Sequence, residues 1–209
     1  MNEKIVETEA CLLEGSENLA RRFPEFAKAI DLIGPLSLRR RPEGFSQLLS
    51  AIVSQQLSVA AADSIWLKLK NAGLVGPRKI KAASDEELAN AGLSRQKIRY
   101  ARALASSRIN YKQLRDLSSS EVIDRLTEVS GIGNWTAEIY AMFSLGRADV
   151  FAPGDLALQE SARILFNLKK RPKEKEFREM ALAWSPWRAV AARILWSYYR
   201  VSKEREGIR

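Results

Sequence analysis

The chain has 209 residues, enough to bury a core of ordinary size as one domain or as two small lobes. Its 34 Lys and Arg against 25 Asp and Glu leave a formal charge of +9, which suits a polyanionic partner such as nucleic acid but also suits plain solubility. The single cysteine, Cys11, excludes an internal disulfide, an iron–sulfur cluster and an all-cysteine zinc site, and the absence of histidine leaves chemistry to carboxylates, hydroxyls, amines and aromatics.

Apolar residues recur at three- and four-residue spacing almost throughout, and alternating runs bounded by hairpin turns are missing, so the pattern predicts an all-α protein. No signal-peptide core opens the chain and no apolar run is long enough to span a bilayer; a soluble, cytoplasmic protein without a membrane partner is expected. Residues 1–41 predict two or three helices, with Pro24 suited to a first helical turn. A helix over residues 45–53 shows Phe45, Leu48, Leu49, Ile52 and Val53 on one side and ends in the polar run Ser54, Gln55, Gln56. Ser58 is placed to cap the next helix, and the pairs Ser84 with Glu87 and Ser118 with Glu121 spell capping boxes. Residues 94–109 form a basic amphipathic segment with Arg95, Lys97, Arg99, Arg102 and Arg108, which a solvated outer face explains as well as a nucleic-acid contact does.

Residues 121–128 continue as a capped helix into Val129, Ser130, Gly131, Ile132 and Gly133, and a further helix starts at Asn134. Two glycines one residue apart allow backbone dihedrals that side chains forbid and let another molecule's backbone come close. With the amides that open the next helix, at Asn134 and Thr136, they make a row of N–H donors suited to a phosphate. The pattern is that of a helix-hairpin-helix over residues 121–143, although a bare Gly-Ile-Gly also serves as an ordinary tight connection. The loop that follows ends Phe151-Ala152-Pro153-Gly154-Asp155, ahead of apolar-periodic residues 156–168. Asp155 would satisfy the role of a plain N-cap, where the free amides and the helix dipole favour an ionised acid. After a charged connection over residues 169–175, a helix runs to Trp184, Pro186 breaks the chain, and a last helix is expected over residues 187–202. Trp135, Trp184, Trp187 and Trp196 can each be core residues, and Trp184 and Trp187 beside Pro186 read as packing.

The hairpin with its Gly/Pro loop and aspartate resembles the helix-hairpin-helix DNA glycosylase superfamily, and within it the alkylation-repair branch, DNA-3-methyladenine glycosylase II. Residues 45–62 (FSQLLSAIVSQQLSVAAA) resemble its early helix pair, residues 91–105 its Gly-Leu-Ser and basic helix, and residues 184–196 (WSPWRAVAARILW) its C-terminal helix. The resemblance implies two helical lobes flanking a cleft, one over residues 42–150 and the other from residues 1–41 with 151–209, in a single glycosylase domain. It implies Asp155 as the catalytic acid, Trp135 and Trp196 as walls of a pocket for an extruded base, and Gln56 as the plug that fills the gap left in the duplex. Ser58, Gly131, Gly133, Asn134 and Thr136 would touch the DNA backbone or the opposite strand. The carbonyls of Thr127, Val129 and Ile132 would hold a monovalent cation between hairpin and phosphate.

Strand-nicking relatives keep a lysine where this chain has Trp135, so no Schiff base with the sugar and no lyase activity are expected. The four-cysteine cluster of endonuclease-type relatives is missing, Gln56 stands where some relatives insert an apolar wedge, and Ile139 replaces an aromatic found in some pockets. The implied activity is hydrolytic release of alkylated bases, such as 3-methyladenine or 7-methylguanine, from double-stranded DNA by a monomer. Two other readings fit the same residues: a helix-hairpin-helix binding protein without catalysis, and a related glycosylase for deaminated or oxidised bases.

Overall fold

A computed structural model describes residues 3–205. Met1 and Asn2, included in the expected N-terminal helices, and residues 206–209, included in the expected second lobe, lie outside the described residues. The described residues form twelve α-helices and one short 3-10 turn, with no strand beyond an isolated bridge between Ile5 and Arg147. No helix among them is long and apolar enough to cross a membrane. The chain divides into two compact units, Met1–Arg40 with Ala141–Arg209, and Arg41–Tyr140.

The unit Arg41–Tyr140 contains α3 (Phe45–Ser54), α4 (Val59–Asn71), α5 (Pro77–Ala82), α6 (Asp85–Asn90), α7 (Arg95–Ser106), the 3-10 turn Gln113–Arg115, α8 (Ser119–Thr127) and most of α9 (Asn134–Phe143). Its helix starts follow from local chemistry: Ser58, Ser84, Ser94 and Ser118 each accept a backbone N–H of the first turn, and Ser84–Glu87 and Ser118–Glu121 form capping boxes. Leu48, Leu49, Ile52, Leu69, Ile80, Leu88, Leu104, Val122 and Leu126 fill its core. The basic helix α7 stops at Ser106, short of the predicted Ile109, because Ser107 turns extended and its hydroxyl donates back to Leu104 O at 2.7 Å. Arg102 faces inward: its guanidinium donates to Asp85 Oδ1 at 2.6 Å and to the carbonyls of Ile80 at 3.0 Å and Ala83 at 2.8 Å, fastening α5 and α6 to α7. Arg95, Arg99 and Arg108 stay exposed.

The other unit is built from α1 (Glu9–Arg22), α2 (Pro24–Ile33), α10 (Leu156–Leu165), α11 (Glu174–Leu182) and α12 (Arg188–Arg205). Trp184 sits at its centre, fully buried, edge-on to Phe26, Phe151 and Phe177 at centroid distances of 5.3, 5.4 and 5.9 Å and stacked on Phe166 at 5.8 Å. Trp187 is buried as well, against Gly15 of α1, where a methyl group would meet its ring at 2.8 Å. Helix α10 ends at Leu165 and not at Leu168, since Asn167 takes a left-handed conformation with φ of 50°.

Candidate functional site

In the unit Met1–Arg40 with Ala141–Arg209, the loop leading to Asp155 is held at both ends. Asp149 forms a two-armed ion pair with Arg188, Nε to Oδ1 at 2.8 Å and Nη2 to Oδ2 at 3.0 Å, and takes the Ser185 hydroxyl at 2.8 Å. Ala189 N donates to Ala148 O at 2.9 Å, so the start of α12 anchors the start of the loop. Further on, Asp155 N closes a turn onto Ala152 O at 3.1 Å, and the buried amide of Gln159 donates to Pro153 O at 2.7 Å. The Ser161 hydroxyl then donates to Leu195 O at 2.6 Å, which pins α10 to α12.

This frame delivers Asp155 to the first turn of α10. Its Oδ1 accepts the amides of Ala157 at 2.9 Å and Leu158 at 3.0 Å and the indole N–H of Trp196 at 3.3 Å. The cap expected from the sequence is therefore made, and the same oxygen is tied to an aromatic residue 41 positions away. Trp196 is half-buried, and its ring lies 5.8 Å from that of Phe143, itself buried at the end of α9. Behind Phe143 stands Arg193, its guanidinium 4.5 Å from the ring centroid and donating to Ala189 O at 2.9 Å and Met142 O at 3.3 Å. Burial, and then the charges of Arg40 and Arg39, lower the Arg193 pKa to about 10, which leaves it protonated at neutral pH. The sequence did not single out Asp149, Gln159 or Arg193: Asp149 pairs with a residue 39 positions away and Arg193 reaches Met142 across 51, while Gln159 meets a backbone carbonyl six residues back that no side-chain pattern marks.

In the unit Arg41–Tyr140, α8 ends and the hairpin turn is closed by Ile132 N donating to Val129 O at 3.0 Å. Gly131 has φ of 96°, and a methyl group there would overlap the Tyr100 ring at 2.3 Å, so both the dihedral and the contact demand glycine. Around Gly133, in contrast, a methyl group would meet nothing within 4 Å; the space over this residue is open. Gly133 O accepts the first bond of α9, from Ala137 N at 3.1 Å, so the amides of Asn134, Trp135 and Thr136 precede the helical ladder. Gly133 and Asn134 are exposed, Trp135 is 44 % exposed, and Thr136 is buried, so its side chain is withdrawn from the solvent-facing surface of the turn.

The carbonyls named for a cation fit that role in kind. Thr127 is the last residue of α8, where carbonyls lack helical partners, and among the described residues no backbone hydrogen bond outside the helices ends on Thr127 O or Ile132 O. Val129 O also takes the turn bond from Ile132.

Gln56 and Ser58 lie in the α3–α4 connection, both exposed. Leu57 N donates to Ser54 O at 3.3 Å, with Gln55 at φ −55°, ψ 129° and Gln56 at φ 57°: a type II turn with a glutamine at the position that favours glycine. Gln55 Nε2 donates to Gly131 O at 2.9 Å, bringing this turn to the hairpin. Leu57 and Val59, the latter 78 % exposed, add apolar side chains to the connection that the sequence reading passed over.

Residues 49–187 match a family described as HhH-GPD superfamily base excision DNA repair protein. Over 200 residues the chain is 28 % identical to the DNA-3-methyladenine glycosylase 1 of Schizosaccharomyces pombe, with 91 % of this chain and 88 % of that protein covered. Among solved structures, it is similar to the 3-methyladenine DNA glycosylase of the same yeast in complex with abasic DNA, with a TM-score of 0.77, 29 % identity and coverage of 88 % and 95 %. It is also similar to a DNA-3-methyladenine glycosidase from Bacillus halodurans, with a TM-score of 0.82, 32 % identity and coverage of 98 % and 95 %.

Proposed function

The chain belongs to the HhH-GPD superfamily of base excision DNA repair proteins, and on that premise we propose that it hydrolyses the N-glycosidic bond of alkylated bases in double-stranded DNA, with Asp155 as its catalytic residue. The observation that carries the reading is the carboxylate of Asp155, whose Oδ1 is held by two amides of α10 and by the indole of Trp196.

Alkylation at a purine ring nitrogen puts a positive charge on the base, which then departs as a neutral molecule without a strong general acid. Positive charge builds on the sugar carbon as the bond breaks, and a fixed carboxylate stabilises it electrostatically. The same group orients or deprotonates the attacking water. Because α10, the loop and Trp196 fix the carboxylate beforehand, little reorganisation accompanies the reaction. Trp135 and Trp196 offer electron-rich faces, to which a cationic, extruded base is attracted by stacking and cation–π interaction. Gln56 fills the space the base vacates. The hairpin, through the open approach at Gly133 and the amides of Asn134 and Thr136, grips a phosphate, with Ser58 contributing at the opposite strand. A monovalent cation bound by the carbonyls of Thr127, Val129 and Ile132 would add positive charge beside that phosphate. No side-chain amine stands at Trp135, so the product is an intact abasic strand. A monomer in the cytoplasm suffices for these steps.

The cap bonds of Asp155 by themselves also suit a binding protein without catalysis. Incubation with methylated duplex DNA, with released bases separated by chromatography and borohydride trapping run in parallel, separates the readings. Release of methylated purines with no trapped adduct is expected. Binding without release from methylated, deaminated or oxidised duplexes would leave the non-catalytic reading, and a trapped adduct would refute the hydrolytic one.

A further inference from the structure

The Gln56 turn stands in a conformation that an L side chain enters only at a cost, and such a conformation persists where surrounding contacts over-determine it. Two contacts hold this turn and a third holds the hairpin beside it, all within the unit Arg41–Tyr140. Gln55 Nε2 donates to Gly131 O at 2.9 Å, which links the turn to the hairpin backbone across 76 residues of sequence. Lys97 Nζ, from α7, donates to Val53 O at 2.6 Å in the last turn of α3, where a cation also meets the negative end of the helix dipole. Burial of Lys97 lowers its pKa, in keeping with an ammonium folded against the protein rather than extended into solvent. One turn further along α7, Tyr100 packs its ring against Gly131, and its hydroxyl accepts the amide of Gln96 at 2.6 Å. Helix α7 thus supports both the turn that carries Gln56 and the turn that carries the hairpin amides, and Gln55 joins the two directly.

We propose that Gln55 and Lys97 are positioning residues that lock the Gln56 turn to the hairpin, so that gripping the backbone and opening the duplex are performed by one preorganised clamp. Neither side chain needs to touch DNA for this. The inference rests on Gln56 acting as the duplex plug. A plug free to move would still allow phosphate binding at the hairpin but would fill the vacated space less often. Base extrusion, and not backbone affinity, is therefore the step that suffers.

The test uses the full chain with Gln55→Met, Lys97→Met and Lys97→Arg. Two duplexes are compared, one with a methylated purine paired normally and one with the same lesion opposite an abasic site, where opening is already cheap. A 2-aminopurine beside the lesion reports unstacking whether or not a base is released. Gln55→Met and Lys97→Met are expected to slow single-turnover release from the paired duplex about tenfold, the size of one net hydrogen bond. Release opposite the abasic site should change by less than about twofold, and the 2-aminopurine signal should fall at saturating protein with the Kd within about threefold of wild type. Lys97→Arg, which keeps a donor, should restore most of the rate. Equal slowing on both duplexes, or unchanged release and fluorescence with the variants folded, overturns the proposal. If the wild type releases no base at all, the glycosylase reading has failed, and the fluorescence comparison still decides whether Gln55 and Lys97 govern duplex opening.

Discussion

Replacing Asp155 with asparagine separates the charge of this residue from its role as a cap. Oδ1 accepts the amides of Ala157 and Leu158 at 2.9 and 3.0 Å and the Trp196 indole at 3.3 Å, and all three donors can be met by the carbonyl oxygen of an asparagine. Asparagine caps a helix about as well as aspartate, so the melting temperature should hold, with a stability change below about 1 kcal/mol. On the proposed reading, what disappears is a unit negative charge that would face a developing sugar cation. At about 4 Å and an effective dielectric constant of about 20, that attraction is worth roughly 4 kcal/mol. Losing a preorganised electrostatic group typically costs about 2 to 4 kcal/mol of transition-state stabilisation. Asp155→Asn should thus lower the single-turnover rate of base release by about 30- to 1,000-fold while binding an abasic-site duplex as the wild type does. The assay is release of methylated purines from duplex DNA with enzyme in excess, alongside thermal melting and equilibrium binding. A variant that folds, binds and retains more than about one third of the wild-type rate would show that the carboxylate charge does not act in the reaction. Asp155→Ala is the informative companion, since it also leaves two α10 amides without their cap and should lose about 1 kcal/mol of stability in addition.

Trp196→Phe keeps an aromatic face and removes the N–H that meets Asp155; with the bond at 3.3 Å, a rate loss of about tenfold or less is expected, read as kcat and not KM, and an unchanged rate would mean the indole does not orient the acid. Gly131→Ala should unfold or distort the hairpin, because φ is 96° and the new methyl would lie 2.3 Å from the Tyr100 ring, whereas Gly133→Ala, with nothing within 4 Å, should melt normally and lose DNA affinity by blocking the phosphate's approach. Melting curves and binding titrations on the pair check both halves, and equal affinity in Gly133→Ala and wild type would remove the phosphate from that position. Trp184→Ala should cost about 3 to 5 kcal/mol by opening a cavity among Phe26, Phe151, Phe166 and Phe177, measured by denaturant unfolding.

Local chemistry made a large part of this protein legible in its sequence. Period-3.6 apolar spacing identified the helices, and the capping boxes at Ser84 and Ser118 and the cap at Asp155 marked their starts, because each depends on residues no more than three apart. The hairpin could be read from Gly131 and Gly133 for the same reason: backbone freedom is a property of the residue itself. Helix ends were less legible, since the stop at Ser106 and the turn at Asn167 depend on a few exposed residues with weak preferences.

Pairings across the chain were decided only by tertiary structure. The basic stretch of α7 reads as one charged face, yet folding sends Arg102 inward to Asp85 and the end of α5 and lays Lys97 over the last turn of α3, while Arg95, Arg99 and Arg108 remain in solvent. Asp149 with Arg188, Asp155 with Trp196, and Gln55 with Gly131 are 39, 41 and 76 residues apart, and no local pattern announces them. Which residues can do the work follows from side-chain type and short spacing, and these are written in the sequence. How rigidly they are held follows from contacts that exist only after the helices have packed, because closing such long loops becomes favourable only with the burial that packing supplies.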